Sequence, residues 1–173
     1  MDGTLTLAVH DFDAIRKELG LPEGKPILEQ IAIYPKMEAR RLHKQLDMIE
    51  LDIAARSKPA DGAAELLEAL TAKGHQLGIL TRNNRINIYA TLEAAGLNGF
   101  FEDNNLISRN CVPPKPDPAG IHRLLNAWGG TPEESVMVGD HLFDLDTGRA
   151  AGSATIYVDP TGEFEHRDKA DFC

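Results

Sequence analysis

The chain has 173 residues, with 27 Asp and Glu against 18 Lys and Arg and a formal net charge of −9. This length suits one domain, or one domain with a small insertion, and can bury a core without disulfide or metal staples. The acidity argues against sequence-independent nucleic-acid binding, which needs a basic face, and no apolar run approaches the ~18–20 residues of a bilayer span. No basic stretch followed by an apolar one opens the chain, so no secretory signal is read there. Cys111 and Cys173 are far apart and have no metal or redox spacing. A cytoplasmic monomer or homodimer, with no nucleic-acid or membrane partner, is expected.

Met1 to Thr6 reads as a turn, because Asp2-Gly3-Thr4 is a loop signal. From about Asp11 to Ser57 the pattern is helical. Short helices are expected over Phe12–Leu19 and Ile27–Ile33, punctuated by Gly20-Leu21-Pro22 and Tyr34-Pro35. A longer one follows, with Leu42, Leu46, Ile49 and Ile53 in a single stripe. After Pro59 helices and strands alternate. Asp61 is expected to cap a helix carrying Leu66, Leu67 and Leu70 that stops near Gly74. His75 to Thr81 reads as a buried strand, and Arg85 to Ala95 as a helix ended by Gly96. Asp117 to Trp128 reads as a helix with Pro118 in its first turn. Ser135–Val138 reads as a strand leading to Gly139-Asp140, Thr147–Ala151 as a helix, and Ala154–Val158 as a further strand. The alternation argues for an α/β fold with a parallel sheet and helices on its faces. Ligands in such sheets sit beyond the carboxyl ends of the strands, where Thr81, Asp140 and Asp159 are expected.

Four fragments carry candidate chemistry: Asp2-Gly3-Thr4, Leu80-Thr81-Arg82-Asn83, Lys115-Pro116, and Gly139-Asp140-His141-Leu142-Phe143-Asp144. Each alone has a plainer explanation. Asp-Gly-Thr is a common turn, a strand-end Thr is often a cap, and Lys-Pro is often a solvated loop. Gly-Asp with a second Asp four residues on fits a helix N-cap with a first-turn carboxylate. Arg40, Arg41, His43 and Lys44 could face a phosphorylated substrate or form a solvated helix face. His141 reads as a loop residue, Arg82 as structural or a substrate-side contact. Phe143, Trp128 and Tyr157 read as core, and the stretch from Glu163 to Asp168 as solvated.

In their order, the four fragments resemble the motifs of the haloacid dehalogenase-like (HAD) superfamily, in its phosphatase branch, near phosphoglycolate phosphatase-type members. The most specific part runs from Met137 through Asp140 and Asp144 to Gly152. The resemblance implies a Rossmannoid α/β core, residues 1–6 and 59–173, with a small helical cap at residues 7–58. That segment could instead be a helical subdomain without substrate contacts. It further implies a Mg2+-dependent phosphomonoester hydrolase of a small phosphorylated metabolite, acting through an aspartyl-phosphate. In that scheme Asp2 is the general acid and base and Lys115 neutralises charge. Thr81, Asn83 and Lys115 bind the phosphoryl group. Asp140, the backbone carbonyl of Asp2, and Asp144 in support hold the metal. An Asp at position 2 favours phosphate monoesters over haloacids. The resemblance places the nucleophile one residue ahead of Met1, after an apolar strand that lies between those of Thr81 and Asp140. The chain as it stands is therefore expected to be inactive, with two inner strand edges lacking partners. Ala170–Cys173 resembles the beginning of a further strand and helix. Two rival readings remain: a phosphomutase of the same fold, and a binding or regulatory relative without a nucleophile.

Overall fold

The computed structural model describes residues 1–173. Its first helices form where the apolar spacing places them. α1 (Phe12–Leu19) opens on the Asp11 carboxylate, which accepts from the Ala14 N–H, and closes at Gly20 in the left-handed region. α2 (Ile27–Ala32) and α3 (Lys36–Ala54) follow two prolines, Pro26 and Pro35, whose side chains supply no cap. Leu42 and Leu46 of the α3 stripe are buried against Ile15, Leu19, Leu21, Ile27 and Ile31, with Ile49 and Ile53 at the margin. This apolar cluster draws only on residues 15–53 and is separate from the two clusters of the α/β part. The two connectors of the segment run side by side: Leu7 N–H donates to Lys58 O at 3.0 Å and Ala60 N–H to Leu5 O at 2.9 Å. Thr6 and Pro59 form an antiparallel bridge between those bonds.

The remaining elements alternate as the sequence requires: α4 (Ala63–Ala72), β1 (Ile79–Leu80), α5 (Arg85–Ala94), β2 (Leu106–Ile107), α6 (Ala119–Trp128), β3 (Val136–Gly139), α7 (Leu142–Ala151) and β4 (Ala154–Tyr157). All strand pairs are parallel. Ile79 lies opposite Leu106, and Val136 through Gly139 lie opposite Ala154 through Tyr157. β1 and β3 are not bonded to each other; each has one hydrogen-bonded neighbour, β2 and β4. Phe172 extends the second ladder, since Tyr157 N–H donates to its carbonyl at 2.9 Å. Two glycines let the layers close. A Cβ on Gly148 would stand 2.5 Å from Thr155 Cγ2, so its absence seats α7 on β3 and β4. A Cβ on Gly120 would stand 2.4 Å from Leu80 Cδ1, so α6 lies directly on β1.

Several local expectations change. The N-cap of α4 is Gly62, not Asp61, and it has φ +76, a conformation that Asp61 does not need to adopt. The strand expected over His75–Thr81 is a ladder only at Ile79–Leu80, because its partner β2 is only two residues long. β2 itself escaped the sequence reading: Leu106-Ile107 is too short to show a period. α7 begins at Leu142, five residues before Thr147, because His141 caps it. The His141 Nδ1 accepts from Phe143 N–H, and Asp144 Oδ2 accepts from His141 N–H at 3.1 Å.

Candidate active site

The carboxyl ends of β1 and β3 bring the candidate residues together. Thr81 follows β1 directly, and its backbone N–H still donates to Ile107 O at 3.0 Å. Asp140 follows β3. The Asp2 turn lies between them, tied to each side by one hydrogen bond: Asn83 Nδ2 to Asp2 Oδ2 at 2.8 Å, and Thr4 Oγ1 to Asp140 Oδ1 at 2.8 Å. Gly3, with φ +77, is required here, since a Cβ would stand 2.1 Å from Asp140 Oδ2. Lys115 enters from the loop before α6. All six candidates, Asp2, Thr81, Asn83, Lys115, Asp140 and Asp144, line one cavity of ≈ 440 Å³. Asp159, expected at the same mouth, does not. Its carboxylate instead closes its own turn, accepting from Thr161 and Phe164 N–H groups.

The electrostatics of the floor are set by one buried pair. Lys115 and Asp144 are 7% and 4% exposed and ion-paired. Burial pushes the Asp144 carboxyl up, but the Lys115 ammonium, the Met1 amino group and the bond from His141 N–H together outweigh it, and the net shift is downward. Asp144 is therefore both the first-turn carboxylate of α7 and the partner of Lys115. Asp2 is held differently. Its Oδ2 is bonded to Asn83, while its Oδ1 is buried without a partner, a costly arrangement unless a ligand completes it.

A divalent cation fits part of this donor set. Asp140 keeps Oδ2 uncommitted, and Asp2, with its backbone carbonyl, lines the same cavity. Both are hard oxygen donors. No group of three His, Cys, Asp or Glu side chains forms a ready-made cage, and Asp144 is engaged by Lys115 and His141. Asp140 Oδ2 and the Asp2 backbone carbonyl are therefore the direct candidates, with Asp144 as support behind them.

The opposite wall comes from the helical segment: His10, Phe12, Arg16, Ile27, Leu46 and Glu50 line the same cavity. Two arginines tie this segment to the catalytic loops. Arg82 donates to both Glu29 oxygens at 2.7 Å, to Lys115 O at 2.7 Å, and lies 4.4 Å over the Phe143 ring. Phe143, read as core, is thus a half-buried wall residue under a cation. Arg109 donates to Asp47 at 2.6 Å, to Glu50 at 3.1 Å and to Arg82 O at 2.9 Å. Burial raises the Glu50 carboxyl pKa more than Arg109 lowers it. Neither Arg109 nor Glu50 stands out in the sequence, since a lone Arg after a turn and a Glu on an amphipathic helix are ordinary.

The model of haloacid dehalogenase-like hydrolases matches residues 1–152. The chain belongs to the haloacid dehalogenase-like hydrolase family. Among curated HAD-like relatives, a phosphoglycolate phosphatase of Thiobacillus denitrificans is 28% identical over 91% of this chain and 80% of its own. A pyrophosphatase, PpaX, of Bacillus velezensis is 36% identical over 54% of this chain, which spans only 43% of that protein. The solved structure of CbbY from Rhodobacter sphaeroides in complex with phosphate superposes with a TM-score of 0.78 at 20% identity. The match covers 99% of this chain and 89% of that one, a likeness of HAD-like fold. The family fold is the expected α/β core with parallel strands, and its chemistry is hydrolytic and phosphatase-like. No helix is long and apolar enough to cross a membrane.

Proposed function

We propose that the cavity hydrolyses a small phosphorylated metabolite, a phosphate monoester, with magnesium, through an aspartyl-phosphate. The observation that carries this is the convergence of Asp2, Thr81, Lys115 and Asp140, from four distant stretches of chain, on one cavity. The free cysteines, one half-buried and one exposed, suit a reducing cytoplasmic setting.

Each side chain has a step it is placed to perform. Thr81 Oγ1 accepts from Asn83 N–H at 3.2 Å, which leaves its hydroxyl proton to donate to a phosphoryl oxygen. The Lys115 ammonium, already facing a carboxylate, neutralises charge on the phosphoryl group. At an effective dielectric of ~20, one unit charge at ~4 Å is worth about 4 kcal/mol. Asn83 fixes Asp2 Oδ2, so the unpartnered Oδ1 is the atom that gives a proton to the leaving oxygen and later takes one from the attacking water. A magnesium ion held by Asp140 and the Asp2 backbone carbonyl, with Asp144 in support, would supply the Lewis-acid charge that cancels anion repulsion. By the family resemblance, the attacking carboxylate belongs two residues before Asp2, and Asp140 and Asp144 keep their metal-side and Lys115-side roles.

The test is a protein extended by an Asp immediately before Met1 and a short apolar run before it. It should hydrolyse an aryl phosphate in magnesium and stop when the metal is chelated. Turnover that persists without metal would overturn the reading. Asp140→Ala should lower magnesium affinity in a direct titration, and an unchanged affinity would remove Asp140 from the metal site.

A further inference from the structure

The basic run on α3 is divided by the helix. Arg41 turns to Glu38 and to Gln45, and Lys44 is exposed. Arg40 and His43 go elsewhere. With Lys36, one turn earlier, they line an open groove of ≈ 600 Å³ between α3 and the loop after β2, where Arg109 and Asn110 complete the basic and polar wall. Lys36, Arg40 and His43 follow at steps of four and three, so they share one helix face. They spread over about 10 Å at a rise of ~1.5 Å per residue, more than one phosphate spans.

The charge of this groove runs against that of the chain. Six of the ten arginines have a carboxylate within 4.0 Å, and neither Arg40 nor Lys36 does. The only carboxylate in the lining, Asp47, is already held by Arg109 at 2.6 Å and by Asn84 at 2.8 Å. Burial, then the neighbouring Arg109 guanidinium, hold His43 below its ordinary pKa against the pull of Asp47. Its ring thus offers a neutral N–H donor beside two uncompensated cations. The first turn of α3 adds its own unpaired amides, since Pro35 supplies no side-chain cap. Arg109, anchored to Glu50 and to Arg82 O, stands between this groove and the catalytic cavity and lines both.

We propose that the groove is a second anion site, separate from the phosphoryl centre, that takes a small polyanion of two or more linked phosphates. Lys36 and Arg40 supply the charge, and His43 and Asn110 supply neutral donors. The site needs neither the metal nor the nucleophile, so its failure is distinguishable from failure of the phosphatase reading.

The experiment is a titration of the chain with inorganic pyrophosphate in metal-free buffer, followed by the His43 ring resonances, assigned by their loss in His43→Gln. A saturable shift is expected. The double variant Lys36→Ala/Arg40→Ala should weaken binding at least tenfold. Both side chains are exposed and unpaired, so the fold is retained, and unmoved resonances elsewhere check this. Arg40→Lys should keep most of the affinity, and Thr81→Val, which removes the phosphoryl-site hydroxyl without breaking an ion pair, should leave the His43 response unchanged. Absence of the shift, an undiminished shift in the double variant, or its loss in a Thr81→Val protein whose other resonances are unmoved would each overturn the proposal.

Discussion

Gly3 has the least freedom to change of any residue at the site. It combines a positive φ with an approach to Asp140 that leaves no room for a methyl group. Gly3→Ala should cost about 1–3 kcal/mol of stability from backbone strain alone. It should also displace Asp140 and lower magnesium affinity more than tenfold, read by titration calorimetry. Asp144 carries a pH signature. Its carboxyl lies below its ordinary value because Lys115, the Met1 amino group and the His141 N–H together outweigh burial. For a depressed acid, the stabilisation is complete above the unfolded value and is lost as pH falls through the folded one. Asp144→Asn leaves Lys115 buried and unpaired, so at pH 7 it should cost about 3–5 kcal/mol in urea unfolding. The difference should shrink in strong acid. A penalty independent of pH would show that the pair is not ionised.

The elements are joined across the cavity by two clasps of different strength. Glu29 is half exposed, so its pair with Arg82 is screened, and Glu29→Ala should cost under about 1 kcal/mol. Arg109 is 7% exposed and Glu50 12%, so Arg109→Ala leaves a buried carboxylate without its cation, held only by Asn87 Nδ2 at 3.0 Å, and should cost about 3 kcal/mol, read by denaturant midpoints. Glu50 has the opposite sign from Asp144. Its pKa is raised by burial, so its contribution is full below the ordinary value and declines as pH rises through the folded one. Glu50→Gln should flatten that decline. These clasps were not legible in the sequence, because they join residues tens of positions apart with no local pattern. The helices were legible. The stripe of Leu42 and Leu46 and the glycines after α1 and α6 carry periodicity and termination in adjacent residues. Strands of two residues carry neither, which is why β2 was missed and β1 was drawn too long. Strand ends pointed to Thr81 and Asp140; Asp2, Asn83, Lys115 and Asp144 were recognised by resemblance alone.

For the whole molecule, the decisive fact is that the helical segment has its own apolar centre. Leu42→Ala, at 1% exposure, should cost about 2–5 kcal/mol, and hydrogen exchange should show the loss in α1–α3 while β3, β4 and α7 keep their protection. Equal loss in all elements would mean that one cooperative unit spans both parts. The net charge of −9 makes the clusters of cations informative, since Lys115, Arg109 and the α3 row all stand against the average. The side-by-side connectors carry a consequence for how such a molecule changes over time. Leu5–Leu7 and Lys58–Ala60 leave and rejoin the core at the same spot. The fifty-odd residues between them are therefore joined to the chain as a cassette: a loop of a few glycines can span the gap, and any replacement cassette must bring its own carboxylates to Arg82 and Arg109.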